Sequence, residues 1–447
     1  MTQAVARSPL PEALHSEQFE QWAQIPERSV EAAALLEVVR SHLQHSMNAA
    51  HPGYMGHMDS IPTTMSVVGD LLVAALNNNM LSVEMSPVFS RLEPLVMQQL
   101  AAQFGLGVAA GGVMVSGGSL ANLQALIVAR NAHFDALKTG IVGLDRQPVF
   151  FVSEVAHTSM QKAAMVMGLG AESAIAIRTN ANSQLEISDL HEKFGQAHRA
   201  GQAPFALVAT AGTTVTGNID PIAAMAEFAQ AHSLWFHVDA AYGGALIFSP
   251  EHRHHLAGIE QADSITFNPQ KWLYITKTCA TVLFKDFDVL NRHFRIAAPY
   301  MADDSQWPNL GELTVQGTRH PDILKLWLSL QHLGKAGYAD IIRHNYAIAT
   351  QFAKAVTARP DLKLASAPQM NLVCFRLQPQ HIPPEQWDDL NAQLQRHLLT
   401  AASSIFLSLP LYRRQRWLKA VLLNPYSSSE TISQLFESLD LFIQKNL

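Results

Sequence analysis

The sequence predicts an α/β fold with a mostly parallel central sheet covered by helices on both faces, and three observations carry that expectation. Between about Gly112 and Asp286 short apolar runs alternate with longer amphipathic ones, the pattern of parallel strands joined by crossover helices. Apolar residues make up 48% of the 447 residues and charged ones only 15%, enough for a large core and for more than one packed unit. Polar clusters at 116–119, 210–214, 239 and 268–271 each follow an apolar run directly. In such sheets, ligands bind outside the carboxyl ends of strands, so these clusters can converge on one crevice.

Taken in chain order, residues before about Ser86 are Pro-rich or helical and lack the alternation, which suggests an N-terminal arm over 1–85. Segments 113–115, 149–153, 174–177, 206–210, 235–238, 264–267 and 281–284 read as strands of a large domain over 86–330. Helical patterns at 120–137, 159–169, 187–200 and 221–232 fall between them, the last opening with Asp220 as cap and Pro221 in the first turn. A long helical pattern at 323–356 leads into a small C-terminal α/β domain over 331–447, with strand candidates at 372–377 and 419–422. The sequence shows no internal repeat and no low-complexity linker.

Composition narrows the function. A net charge of -6 with no dense basic run gives no general attraction for nucleic acid. The two cysteines, Cys279 and Cys374, lie in apolar strand-like runs, as buried thiols of a reducing compartment do. The first thirty residues hold no continuous apolar core and no run reaches membrane-spanning length, so a soluble, cytoplasmic protein without a membrane partner is expected. The cluster His252-Arg253-His254-His255 follows a Pro250-Glu251 turn and contains arginine, which favours a solvated loop over a metal site. No metal is expected.

The chemistry-bearing residues are more specific. Asp239 ends an apolar run within His237-Val238-Asp239-Ala240-Ala241-Tyr242-Gly243-Gly244, and Lys271 ends another within Asp263-Ser264-Ile265-Thr266-Phe267-Asn268-Pro269-Gln270-Lys271-Trp272. Singly, each has a bland account: a strand-end carboxylate capping a turn, a solvated lysine. Together they are what pyridoxal 5'-phosphate needs. Its aldehyde is held by a lysine amine, and its ring nitrogen stays protonated beside a carboxylate. Ser116-Gly117-Gly118-Ser119 opens a helix after a strand, where close backbone approach and unpaired N–H groups suit a phosphate. His157, alone, would be a satisfied core histidine.

These segments resemble the group II pyridoxal-phosphate-dependent amino acid decarboxylases, the family of the glutamate, cysteine sulfinate and aromatic L-amino acid enzymes. The resemblance spans nearly the whole chain and implies the fold type I pyridoxal-enzyme architecture, with the active site at a homodimer interface. It implies that Lys271 is the Schiff-base lysine, Asp239 the pyridinium partner and Ala241 a ring contact. Gly118, Ser119, Asn268 and Gln270 then bind phosphate. His157 stacks on the ring and faces the substrate carboxylate, and Thr213, in Thr210-Ala211-Gly212-Thr213-Thr214, lies in the turn beside the cofactor. Tyr54 and His57 match positions lining the side-chain pocket, and Lys419 stands where the family has an arginine near the substrate carboxylate. The implied reaction is decarboxylation of an L-amino acid to its amine and CO2 through a Schiff base and a quinonoid. Asn77-Asn78-Asn79-Met80, Glu84 and Ser86-Pro87-Val88-Phe89 look closer to the glutamate and cysteine sulfinate branch, which points to an acidic or polar substrate, while Lys419 argues partly the other way.

Three departures from the family matter. Gln270 replaces a histidine and cannot titrate. Lys419 offers a point charge instead of a bidentate fork. The segment 300–316 is shorter than the family's catalytic loop, and its tyrosine, Tyr300, precedes the place of the usual Cα proton donor. His157, Trp307 through a water, or a partner-chain residue are the candidate substitutes. Two alternatives follow: an oxygen-dependent aldehyde synthase, and a catalytically inactive cofactor-binding relic.

Overall fold

The computed structural model of the protein describes residues 8–12, 16–59, 61–299, 301 and 306–447. Two compact units are present, one built from 62–344 and 366–370, the other from 345–365, 371–447 and the described residues up to 61. The larger unit holds a seven-stranded sheet: β1 (Gly111–Val115), β2 (Pro148–Ser153), β3 (Ala174–Ile177), β4 (Ala203–Thr210), β5 (Trp235–Asp239), β6 (Ser264–Phe267) and β7 (Ala280–Phe284). Their order is β1-β7-β6-β5-β4-β2-β3. Each of the seven predicted strands is there, with ends displaced by a few residues.

The run from β3 through β2, β4 and β5 to β6 is parallel. Strand β7 is antiparallel to both β6 and β1, because the link from β6 to β7 contains no helix to carry the chain back across the sheet. Helices Gly118–Phe134, Ser159–Val166, Ile187–Arg199 and Ile222–Ala231 make the connections from β1 to β5, and three short 3-10 turns between Gly243 and Gln261 carry the chain from β5 to β6. Strands β1, β2, β4, β6 and β7 are buried along their full length, which explains their near-continuous apolar sequence. On one side, Phe150, Phe205 and Val208 pack against Leu126, Met160 and Met167, each such side chain contributing about 1.5–3 kcal/mol by leaving water.

Three local expectations are corrected. Asp220 does not cap the helix after it with its side chain: Oδ1 accepts from the Leu185 N–H at 2.8 Å and Oδ2 from the Thr210 N–H at 2.8 Å, tying the end of β4 to a neighbouring loop. The long C-terminal helical pattern forms a helix at Ile323–Thr357, but Gly334 interrupts it with φ 62 and ψ 179, a conformation glycine adopts without Cβ strain. The helix expected at 120–137 stops at Phe134, where Asp135 turns left-handed at φ 50.

In the smaller unit, β8 (Leu362–Leu364), β9 (Leu372–Leu377) and β12 (Leu418–Val421) form an antiparallel sheet in the order β12-β9-β8, beside a hairpin of β10 (Leu411–Tyr412) and β11 (Gln415–Arg416). Helices Trp387–Thr400 and Ser429–Asn446 cover it, the second opened by a reciprocal cap between Ser428 and Thr431. Its core joins Met55, Phe352, Phe375, Leu394, Leu435 and Phe442. Buried Arg376 lies 5.3 Å from the Trp387 ring and 5.4 Å from that of Trp417, and donates to Asp388 at 2.9 Å. Cys279 and Cys374, one in each unit, are free and buried.

Candidate active site

The carboxyl ends of β1, β4, β5 and β6 surround a cavity of about 280 Å³. Each wall follows from local sequence. After β1, Gly117 stands in extended conformation and caps the helix Gly118–Phe134, whose first N–H groups have no partner within the helix. Gly118 is required by close approach: a Cβ there would lie 2.6 Å from Asn268 Nδ2. Asn268 follows β6, is 3% exposed, and its Oδ1 has no hydrogen-bond partner among the described residues. Gln270 is clamped to the start of β7, its Oε1 accepting from the Cys279 N–H at 2.5 Å. Lys271 also lines the cavity. The turn after it is fixed by buried Trp272, stacked on Tyr242 with centroids 5.0 Å apart.

Asp239, at the end of β5, is 6% exposed and accepts at both oxygens: Oδ1 from the Ala241 N–H at 3.1 Å, Oδ2 from Asn122 Nδ2 at 2.9 Å. Together they fix the orientation of the carboxylate at the strand end. His157 lines the cavity from the turn after β2, and its Nδ1 accepts from the Ser159 N–H at 3.1 Å. That contact leaves the ring proton on Nε2. Part of the ring is open to solvent, yet desolvation lowers its pKa, opposed by the charge of Asp239 and reinforced by Lys271 and Lys162. His157 is therefore a neutral donor at neutral pH.

Gly118, Ser119, His157, Asp239, Ala241, Asn268, Gln270 and Lys271, all expected from the sequence, line this one cavity. Thr213 does not line it. Its hydroxyl contacts Thr216 Oγ1 at 2.9 Å and accepts from the Asn218 N–H at 3.1 Å, stabilising the turn, while Thr210, Gly212 and Thr214 face the cavity. Asn122 was missed. Its signal was a polar residue one helical turn beyond Gly118, on a helix face otherwise occupied by Ala121, Ala125 and Leu126.

Tyr54, His57 and Lys419 belong to the smaller unit. Tyr54 is buried, bridges to Phe406, and its hydroxyl has no partner among the described residues; burial, with Asp59 nearby, holds that hydroxyl protonated. His57 is exposed, its ring 5.5 Å from that of Phe406. Lys419 is 5% exposed and sits opposite Cys374, so it is not a surface charge. Burial pushes the Cys374 thiol up to about 12, with Lys419 acting against that rise. Tyr300 lies outside the described residues, and Trp307 is half-buried.

The cluster His252–His255 forms a short turn in which Arg253 donates to the Gln103 carbonyl at 2.8 Å. Asp70, His320 and Asp322 gather closely enough to hold a metal ion, but the Lys325 ammonium lies 2.8 Å from Asp322 and 3.3 Å from Asp70 and supplies the positive charge. A larger cavity of about 490 Å³, bordered by Asn77, Ser116, Gln316 and Arg319, carries less chemistry, since the Arg319 guanidinium is paired to buried Glu93 at 2.6 and 2.7 Å.

Pyridoxal phosphate fits the smaller cavity. Unpartnered Asn268 Oδ1 and Thr210 Oγ1 mark polar positions without an internal partner. The helix start offers N–H donors for an anion, and an amine and an anchored carboxylate complete the set. The comparisons agree. Residues 11–378 match the family model described as the pyridoxal-dependent decarboxylase conserved domain. An L-aspartate decarboxylase of Metarhizium robertsii is 34% identical over 352 residues, 77% of this chain and 70% of that protein. The human acidic amino acid decarboxylase GADL1 is 30% identical over 421 residues, 91% of this chain and 80% of that protein. The crystal structure of mouse CSAD in apo form superposes with a TM-score of 0.92 at 27% identity, covering 99% of this chain and 95% of that one. The chain therefore belongs to the pyridoxal-dependent amino acid decarboxylases, carboxy-lyases whose cofactor is pyridoxal 5'-phosphate.

Proposed function

We propose that the protein decarboxylates an acidic L-amino acid, with Lys271 holding the cofactor aldehyde and Asp239 facing its ring nitrogen. The observation that carries this reading is the doubly hydrogen-bonded Asp239 carboxylate in the same cavity as Lys271. When bound, the cofactor supplies an aldehyde that condenses with amines and an electron-poor ring that accepts the electron pair left as CO2 departs. Gly118, Ser119, Asn268 and Gln270 hold the phosphate with uncharged donors. Ala241 packs on the ring. His157 covers it and turns its Nε2–H towards the substrate carboxylate, orienting the bond that breaks.

Substrate choice is supported by the relatives, one named for L-aspartate and one for acidic amino acids. Tyr54, His57 and Lys419 are proposed as the substrate-contacting residues of this reading. The three-part division at 85 and 330 and a cytoplasmic location belong to the same proposal; among the described residues no helix is long and apolar enough to cross a membrane. A homodimer is proposed from unpartnered apolar surface. Leu71 is 70% exposed on the helix Thr64–Leu76, and the helix Ala32–Gln44 has no buried residue. Light scattering on the holoenzyme tests it.

A second reading is favoured by one feature, the absence of any tyrosine from 301 to 316. Without that acid, the L-amino acid, O2 and water would instead give aldehyde, ammonia, hydrogen peroxide and CO2. Purified holoenzyme incubated with a panel of L-amino acids, with CO2, amine, aldehyde and peroxide measured together, decides between them. CO2 and amine from L-aspartate or L-glutamate support the proposal; CO2 with stoichiometric peroxide supports the aldehyde synthase. Bound cofactor without turnover of any amino acid refutes both and leaves the relic.

A further inference from the structure

Asp239 is the end of a one-way hydrogen-bond chain. It starts at half-buried Trp235, whose indole Nε1–H donates to Ser264 Oγ at 2.8 Å. An indole N–H can only donate, so the single proton of Ser264 is free to turn to His237 Nδ1, 2.9 Å away. His237 is fully buried, and desolvation pushes its pKa down to about 4, so the ring is neutral. With Nδ1 accepting, the ring proton is on Nε2, which donates to Asn122 Oδ1 at 3.1 Å. Thr266 Oγ1, 3.5 Å from the same nitrogen, is a far weaker competitor. The Asn122 amide is thereby held in one orientation, its NH2 facing Asp239 Oδ2 at 2.9 Å and Ser159 Oγ at 3.0 Å.

We propose that Asn122 and His237 are positioning residues that hold the Asp239 side chain in a single rotamer with a fixed hydrogen-bond donor, and so set the proton affinity of the cofactor's ring nitrogen. This rests on the reading of Asp239 as the ring-nitrogen partner. If the His237 proton moved to Nδ1, Asn122 would flip its amide and present an oxygen to the carboxylate, which disfavours the charge. Ser264 biases against that: the Trp235 N–H occupies one lone pair of its oxygen, leaving its proton to point at Nδ1. The amide donor itself does not titrate. The titratable groups that share the region are His237 on β5, His157 and Lys162 beside β2, and Lys271 after β6.

The test is 15N NMR of the holoenzyme loaded with ring-nitrogen-labelled cofactor and titrated from neutral to alkaline pH, paired with cofactor affinity from fluorescence titration. Asn122→Leu is expected to lower the ring-nitrogen pKa by about one unit, a tenfold change in proton affinity. Ser264→Ala, which touches neither Asp239 nor Asn122, lowers it by less. His237→Gln, which keeps one donor and one acceptor, retains more of the wild-type value than His237→Leu. If Asn122→Leu fails to fold, the Ser264 and His237 variants carry the test. An unchanged ring-nitrogen pKa in all the folded chain variants, while Asp239→Asn lowers it, overturns the proposal and leaves the Asp239 reading intact. An unchanged value in Asp239→Asn as well removes that reading, and the proposal with it.

Discussion

Gly118→Ala separates fold stability from cofactor binding because of where the added methyl goes. Its Cβ would stand 2.6 Å from Asn268 Nδ2 and 3.1 Å from Oδ1, too close to coexist with the amide in place. Gly118 opens a helix and needs no left-handed backbone, so alanine brings no conformational strain. The Asn268 side chain must therefore swing aside. Its Oδ1 has no partner to lose among the described residues, so the cost to folding is the mild overpacking of one methyl, about 1 kcal/mol. The cost to the cofactor is larger. Losing one hydrogen bond to a charged phosphate is worth about 1.5–3 kcal/mol, which corresponds to roughly 10- to 150-fold in Kd. Apo protein titrated with pyridoxal phosphate by tryptophan quenching gives the affinity, and urea unfolding of the apo protein gives the stability. A cofactor Kd within twofold of wild type, with a stability loss of several kcal/mol, would refute the reasoning by showing that Asn268 supports the fold and not the phosphate.

Three further outcomes are expected. Lys271→Ala should abolish the visible absorbance of the bound cofactor and all turnover; a retained visible band would disprove its role as the anchoring amine. Glu93→Gln removes one charge of a buried, doubly bonded pair with Arg319 and replaces one of its two acceptor oxygens by an NH2 that faces the guanidinium. It should destabilise the fold by about 3–5 kcal/mol in denaturant unfolding, and a change below 1 kcal/mol would contradict the pairing. His237, with a pKa lowered to about 4 in the folded chain against 6.5 for the free group, binds a proton in the unfolded state before it does in the native one. Its contribution is thus present above pH 6.5 and lost as pH falls towards 4, by about 3 kcal/mol. Asp220, raised to about 6 by burial, acts in the opposite sense over the same range. His237→Gln should therefore flatten the acid loss of stability relative to wild type, and identical pH profiles would exclude the buried neutral histidine.

Much of the site was readable because its residues sit at strand ends, where an apolar run stops and a polar residue begins. Asp239 after Trp235-Phe236-His237-Val238 and Asn268 after Ser264-Ile265-Thr266-Phe267 are marked by that contrast alone. Thr213 misled because a threonine in a tight turn can face the ligand or satisfy its own turn, and only the Thr216 and Asn218 contacts distinguish the two. Asn122 and His237 were unreadable as a pair. They are far apart in sequence, and their link depends on the helix Gly118–Phe134 lying across β5 and β6.

The sequence by itself determined the strand and helix succession, the parallel character of most of the sheet, and the placing of Gly118, Ser119, Asp239, Asn268 and Lys271 at strand ends where they line one cavity. Periodicity and local motifs encode those, since each depends on residues near one another in the chain. Only the tertiary structure decided that β7 runs antiparallel between β1 and β6, that Lys419 is buried opposite Cys374, that Lys325 fills the cluster of Asp70 and Asp322, and that Asp239 ends a polarised chain begun at Trp235. The physical reason is common to all four. Hydrogen-bond direction, charge pairing and burial are properties of neighbours in space, and in each case those neighbours come from segments that the chain keeps apart until the sheet has formed.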